Sequence, residues 1–132
     1  IMDEKFKTEI ISPENIIFSN DVEMVTIPSY EGDMSILKQH ISIITFLRPG
    51  IIKIKKANDQ QEDFFVEDGI IEFSKDNLSI LSTAAINLKK LSKDYLENLN
   101  KDTEEKLKAN NLTDEENYIL NCKLDVIKEI SV

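Results

Sequence analysis

The 132-residue sequence is poor in the residue types that several specialised classes of protein need. It contains 3 Gly, 3 Pro, 1 Cys, 1 His and no Trp, which excludes collagen-like, low-complexity and disulfide-rich classes. The lone Cys122 has no internal partner for a disulfide. Long apolar runs are also missing, because the longest, residues 41–47, is interrupted by Ser42 and Thr45. A membrane-spanning helix needs roughly 20 apolar residues, so we expect neither such a segment nor a signal peptide.

Positive charge is scarce, and Arg48 is the one arginine. The chain has 16 basic and 25 acidic residues, for a formal net charge of −9. Residues 1–85 hold 8 basic and 15 acidic residues, whereas residues 86–132 are nearly balanced, with 8 and 10. Binding to phosphate backbones would work against this field, so nucleic acid is excluded as a predicted partner.

Catalytic and metal-binding motifs are also missing from the sequence. It has no glycine-rich phosphate loop, no HExxH or CxxC motif and no nucleophile elbow. His40 and Cys122 have no companions at metal-ligand spacing. The acidic pairs Glu62-Asp63 and Glu67-Asp68 flank predicted turns, where a solvated surface role is the common one. We therefore predict no metal site and no enzyme activity, and a hydrolase with two facing carboxylates is the least favoured alternative.

Two different patterns meet near Ala84-Ala85. Before this point, short β-branched runs alternate with turn residues, which indicates a sandwich or barrel. In Ile51–Lys55, for example, Ile52 and Ile54 share one face and lysines occupy the other. The pattern predicts an all-β domain over residues 1–85, with strands Phe6–Ile11, Ile16–Phe18, Val22–Ile27, Ser35–Leu37, Ile41–Leu47, Ile51–Lys55, Phe64–Val66, Ile70–Phe73 and Leu78–Leu81.

Residues 86–132 lack Gly and Pro and follow a helical period. Ser92 is the predicted N-cap of a first helix, and Thr113 with Glu116 forms a capping box for a second helix from Asp114 to about Ile130. Asn110 and Asn111 separate the two helices, because Asn tolerates the left-handed conformation that ends helices. The pattern predicts an antiparallel helical hairpin with this Asn pair as its hinge.

The second helix carries two adjoining apolar rows, which is more than an isolated two-helix contact requires. The first row is Ile119, Cys122, Val126 and Ile130, and the second is Leu120, Leu124 and Ile127. Either the β domain or a different chain covers this surface, and the sequence leaves both alternatives open.

One segment has a distinctive order of residues. Gly32 lies between Glu31 and Asp33 and predicts a turn with positive φ, while His40, on its own, is read as a loop-bridging side chain. The segment continues through Ile43-Ile44-Thr45 to Pro49-Gly50, and a later block reads Gly69-Ile70-Ile71-Glu72-Phe73 and then Thr83-Ala84-Ala85. In this order and spacing the chain resembles, over nearly its whole length, the epsilon subunit of F-type ATP synthases, the counterpart of the mitochondrial delta subunit.

The resemblance implies a non-catalytic rotor subunit of the central stalk, which couples proton flow to ATP synthesis. The β domain would pack on the gamma subunit and on the membrane ring of c subunits, with Glu31, Gly32, Asp33 and His40 facing the ring. The hairpin would be either folded or extended towards the alpha and beta subunits, where it would inhibit ATP hydrolysis. The location implied is peripheral, at the cytoplasmic face of the bacterial inner membrane.

The sequence also departs from this family. Ser35 stands where the family usually has Gly, and Ser42 where it usually has Pro. Many bacterial members use an Asp and an Arg at the start of the first helix for ATP binding. Residues 91–96 have no Arg and no Asp at the expected position, so we expect no cofactor and no tight ATP binding by the hairpin. The alternative interpretation is a stand-alone β-sandwich adaptor whose helical hairpin is an interaction element.

Overall fold

A computed structural model describes residues 4–131 as a β-sandwich of ten strands followed by two helices. The predicted fold class is confirmed. Two short 3₁₀ turns lie at Ala57–Asp59 and Leu88–Lys90. The elements are β1 Phe6–Ile11, β2 Ile16–Val22, β3 Met24–Ser29, β4 Gly32–Ile36, β5 Ile43–Leu47, β6 Gly50–Lys55, β7 Gln61–Val66, β8 Gly69–Ser74, β9 Asn77–Leu81, β10 Ala85–Asn87, α1 Lys93–Lys106 and α2 Asp114–Ser131.

The strands form two layers joined at one point. The first layer has the strand order β10-β7-β6-β3, and β4 pairs with β3 as its last strand. The second layer has the strand order β5-β8-β9-β1-β2. The layers meet where Ser29 of β3 pairs with Leu47 of β5. All strand pairs are antiparallel except β1 with β9, which is parallel.

The core lies between the layers and is built from the inward-facing residues of each strand. Ile52 and Ile54 are fully buried, whereas Lys53 and Lys55 are exposed, as the alternation in β6 predicts. Edge-to-face pairs of aromatic rings fill the wider parts, with Phe6 and Phe73 at 5.5 Å between centroids. Protein interiors are packed like organic crystals, so this core is a stiff body.

Gly50 allows the chain to pass close to β3. A Cβ atom at this position would lie 2.5 Å from Pro28 Cβ and 2.7 Å from Pro28 Cγ, well inside contact distance. Pro28 has a rigid ring that cannot move aside, so only glycine fits at the start of β6.

Several boundaries differ from the sequence prediction. The strands β4 and β7 each begin three residues earlier than predicted, and β5 begins two residues later. Val22 ends β2 and does not begin a strand that reaches Ile27, and Ala85–Asn87 form a tenth strand by pairing with β7. The first helix ends at Lys106, before the Asn pair. Asn110 and Asn111 lie in a turn, and neither has a positive φ, so the left-handed helix end expected there was wrong.

The helix starts are as predicted. The Tyr95 N–H donates to Ser92 Oγ at 3.0 Å. The Glu116 N–H donates to Thr113 Oγ1 at 3.0 Å, and the Thr113 N–H donates to Glu116 Oε1 at 3.0 Å. The reciprocal pair is the capping box, which satisfies the amide groups that a helix N-terminus leaves free.

Candidate interaction surfaces

An apolar row crosses the outer face of the second layer. The strand registers place Phe46 opposite Ile70, Ile70 opposite Leu81, Leu81 opposite Ile11, and Ile11 opposite Ile16. Phe46 is 62% exposed, Ile16 59% and Leu81 48%. An antiparallel sheet with one free face normally presents polar side chains there, so this row indicates a surface that a partner covers.

Four members of the row, Ile11, Phe46, Ile70 and Leu81, form the floor of an open groove of about 930 Å³. Its rim is acidic, with Asp68 on the β7–β8 turn and Glu115 in the first turn of α2. Tyr30 lies at the same rim and is 40% exposed. The groove therefore combines an apolar floor with negative charge at one side.

The outer face of the first layer is covered by the hairpin. Phe65 points away from the inter-sheet core, because its neighbours Phe64 and Val66 face that core, yet it is only 1% exposed. Leu96 of α1 and Ile127 of α2 are likewise buried outside the inter-sheet core. These side chains form a second, smaller core between the hairpin and the sandwich.

The two apolar rows of α2 are partly covered within the chain. Val126 and Ile127 are buried, and the other members of the two rows, Ile119, Leu120, Cys122, Leu124 and Ile130, are half-buried. In the described arrangement α2 packs on the β domain, and contact of these rows with a different chain stays a prediction.

Two specific contacts hold α2 on the sandwich. Lys123 Nζ lies 2.6 Å from Glu67 Oε1, and the Lys123 side chain is 11% exposed. Nearer the start of the helix, the rings of Tyr118 and Tyr30 stack at 6.0 Å between centroids with an interplanar angle of 29°. The first contact is electrostatic and the second apolar, and each joins α2 to a loop of the sandwich.

The predicted acidic turn lies between β3 and β4, and the one arginine fixes it. Gly32 has φ of +117°, as the sequence predicts. Arg48 Nη2 donates to Asp33 Oδ1 at 2.9 Å, and Arg48 Nε donates to the Ser29 carbonyl at 3.0 Å. Glu31 is exposed, and no ion pair of its carboxylate occurs within residues 4–131.

His40 does not lie beside this turn. It follows β4, whereas the turn precedes β4, so the strand separates them and places them at opposite ends of the sandwich. His40 Nδ1 lies 2.7 Å from the Ile41 carbonyl oxygen, and its ring meets Phe73 edge-on at 5.9 Å. These contacts agree with the loop-bridging interpretation of this histidine.

Within residues 4–131, no three or more His, Cys, Asp or Glu side chains are grouped to hold a metal ion. Neither helix of this part of the chain combines the length and apolar character needed to cross a membrane.

The apolar row is the functional feature that sequence reasoning missed. A signal exists in β5, where Ile44 and Phe46 are apolar although Ile43 and Leu47 already supply the inward face. Strands that are apolar on both faces, in a sheet with only one inner face, mark a covered outer surface. The five residues come from five strands, so their alignment depends on register.

The fold defines a class of protein, a β-sandwich domain followed by a helical hairpin. The family model described as ATP synthase, Delta/Epsilon chain, beta-sandwich domain matches residues 5–88. The chain is 44% identical over 131 residues to the ATP synthase epsilon chain of Pelagibacter ubique, covering 98% of this chain and 100% of that one. The chain belongs to the ATP synthase epsilon chain family, which confirms the resemblance seen in the sequence.

More distant relatives match only part of the chain. The epsilon chain of Parvibaculum lavamentivorans is 37% identical over 87 residues, which cover 66% of each chain. Among solved structures, a chain of the Euglena gracilis mitochondrial ATP synthase has a TM-score of 0.77 at 15% identity and covers 99% of this chain and 82% of its own. A chain from the central stalk and c-ring of the Tetrahymena thermophila enzyme has a TM-score of 0.69 at 14% identity, with full coverage of both chains. These two structures share the fold.

Proposed function

We propose that this chain is a non-catalytic rotor subunit of an F-type ATP synthase, located in the central stalk at the cytoplasmic face of a bacterial inner membrane. Family membership supports this proposal, and the similar Tetrahymena chain comes from a central stalk and c-ring assembly. The observation that carries it is the exposed apolar row on the second layer, since a mechanical subunit works through its contacts.

The apolar row is the docking surface for the gamma subunit. Phe46, Leu81 and Ile16 together expose a large apolar area, and full burial of such a side chain is worth about 1.5–3 kcal/mol. Burial of this row favours a stable partner over a transient one. The opposite layer already has its own cover, the hairpin, so the second layer offers the larger free apolar surface.

The Glu31-Gly32-Asp33 turn is the contact with the polar loops of the c-ring. The bonds from Arg48 fix Asp33, so the turn is a rigid projection at one end of the sandwich. His40 lies at the other end, so in this proposal it serves the fold of its loop and not the ring contact. A close-packed sandwich held by gamma on one face and the ring at one end transmits rotation, and so couples proton flow to ATP synthesis without chemistry of its own.

The hairpin is the regulatory element, and the described state is the folded one. To reach the alpha and beta subunits it would have to break the Lys123–Glu67 pair and expose Phe65. A two-state element shifts only when a partner binds the two states unequally. Contacts with gamma and the rotor supply that difference, and the extended form inhibits hydrolysis. Asn110 and Asn111, in the turn between the helices, are the hinge.

Co-purification tests the proposal against the adaptor alternative. A tagged chain expressed in its own host should bring down gamma, the catalytic head and the c-ring in stoichiometric amounts. A chain recovered as a monomer, with no gamma at any salt concentration, would favour the stand-alone adaptor.

A further inference from the structure

The groove over the apolar row is not built from the sandwich alone. Glu115, in the first turn of α2, forms part of its wall. Tyr30 lies at the same wall and stacks on Tyr118, which is three residues further along the helix. The groove therefore has its complete shape only while the hairpin is folded.

Negative charge surrounds the exposed Tyr30 ring. Burial raises the pKa of the Tyr30 phenol, and the nearby carboxylates of Glu115 and Asp68 raise it further. Asp68 is fixed in position, because its carboxylate accepts from Thr83 Oγ1 at 2.9 Å and 3.0 Å. Glu115 is exposed at the groove wall, and no ion pair of its carboxylate occurs in the described chain.

Tyr30, Asp68 and Glu115 line the same groove, and an exposed aromatic ring with carboxylates nearby is suited to a cation. Cations bind over aromatic faces, and charge-assisted hydrogen bonds to carboxylates are about twice as strong as neutral ones. The only nearby arginine, Arg48, is already held by Asp33 and the Ser29 carbonyl. No Lys or Arg lines the groove in the described part of the chain, and Lys123 is paired with Glu67, so we expect the cation to come from outside the chain.

We propose that a Lys or Arg side chain of the gamma subunit lies over Tyr30, between Asp68 and Glu115, when gamma docks on the apolar row. This inference rests on the proposed gamma docking and adds the chemistry of the partner segment, apolar side chains flanked by a cation. Because Glu115 belongs to the hairpin, gamma then holds the sandwich and the folded hairpin together. Thermodynamic linkage requires that the folded hairpin strengthens gamma binding by the same factor by which gamma stabilises the folded hairpin.

The test compares two neighbouring acidic residues of α2. Glu115→Gln removes the charge at the groove wall, and Asp114→Asn removes a charge in the same helical turn that does not line the groove. Both variants change the helix-terminal charge equally. Each full-length chain is titrated into a complex of alpha, beta and gamma subunits that lacks this chain. We expect Glu115→Gln to weaken binding about tenfold and Asp114→Asn to change it less than twofold.

Two further measurements distinguish this inference from the gamma docking on which it rests. Binding of wild type should weaken more steeply with salt than binding of Glu115→Gln, and the complex should slow amide exchange in residues 114–118. Equal affinities for the two variants, or faster exchange in α2 on binding, would overturn the inference while leaving gamma docking intact. Unchanged binding of a Phe46→Ser variant would instead overturn the docking surface itself.

Discussion

Lys123 of α2 forms an ion pair with Glu67, the residue that directly follows β7, with 2.6 Å between Nζ and Oε1. The Lys123 side chain is largely buried, whereas Glu67 is about one-third exposed. A buried cation without its partner is costly, so the Glu67 carboxylate stabilises the folded hairpin.

Replacing Glu67 by Gln should weaken the packing of the hairpin on the sandwich. The substitution leaves the Lys123 ammonium without a counter-charge, and we expect folded-hairpin stability to fall by about 1–3 kcal/mol. Hydrogen exchange of the α2 amides measures this loss. Lys128→Met, which removes an exposed lysine from the same helix, is the matched control and should leave exchange unchanged. Equal exchange in wild type and Glu67→Gln would show that the ion pair does not hold the hairpin.

The buried hydroxyl of Thr8 should lower the stability of the core, and one substitution should remove this effect. Its side chain is fully buried in β1, and its Oγ1 has no hydrogen-bond partner within residues 4–131. Thr8→Val keeps the shape and removes the unsatisfied hydroxyl, so the free energy of unfolding should rise by about 1–2 kcal/mol in urea denaturation. Thr103→Val is the control, because the equally buried Thr103 Oγ1 donates to the Leu99 carbonyl at 2.7 Å. A gain in Thr103→Val as large as that in Thr8→Val would refute this explanation.

Acid should loosen the start of α2. Hydrogen bonds from the Thr113 backbone and side chain lower the pKa of Glu116 below its ordinary value of 4.5. A carboxyl group whose pKa is depressed in the folded state stabilises that state fully above its unfolded pKa, and this stabilisation disappears as pH falls through the folded pKa. The amide signal of Thr113 in NMR spectra should therefore shift in a titration with its midpoint below pH 4.5. In Glu116→Gln that shift should vanish, and its persistence would assign the titration to another group.

The two carboxylates of the acidic turn, Glu31 and Asp33, should have different roles. Asp33 holds Arg48, so Asp33→Asn should lower the unfolding free energy, whereas Glu31→Gln should not. If the turn contacts the c-ring, Glu31→Gln should still reduce proton-driven ATP synthesis in membrane vesicles severalfold. Full synthesis in Glu31→Gln vesicles with normally assembled complexes would remove the turn from the ring contact.

Local sequence patterns were sufficient for much of the fold. Strand alternation in β6 and the capping residues Ser92 and Thr113 are properties of a few adjacent residues, and the structure has them as predicted. The tenth strand was missed because Ala85–Asn87 is too short to show a period and exists only by pairing with β7. The end of α1 was misplaced because Asn110 marks a turn, whereas the helix ends four residues earlier.

The interaction surfaces required the tertiary structure. Phe65 looks like one more core residue in the sequence, yet it faces the hairpin, and Phe46 looks the same but faces solvent. Glu31 and His40 appear close together in the sequence, but a whole strand separates them. Register and layer assignment decide these questions, and both depend on long-range pairing that no local pattern encodes.

The central claim is that the apolar row binds gamma, and the most direct test is the affinity of Leu81→Ser and Phe46→Ser for the complex of alpha, beta and gamma subunits. Both side chains are exposed, so the variants should fold, and Leu37→Ser is a control that removes an exposed apolar side chain outside the groove. We predict that each row variant binds about thirtyfold more weakly or worse, as loss of about 2 kcal/mol at a hot spot requires, and that Leu37→Ser binds as wild type does. Wild-type affinity in both row variants would contradict the account.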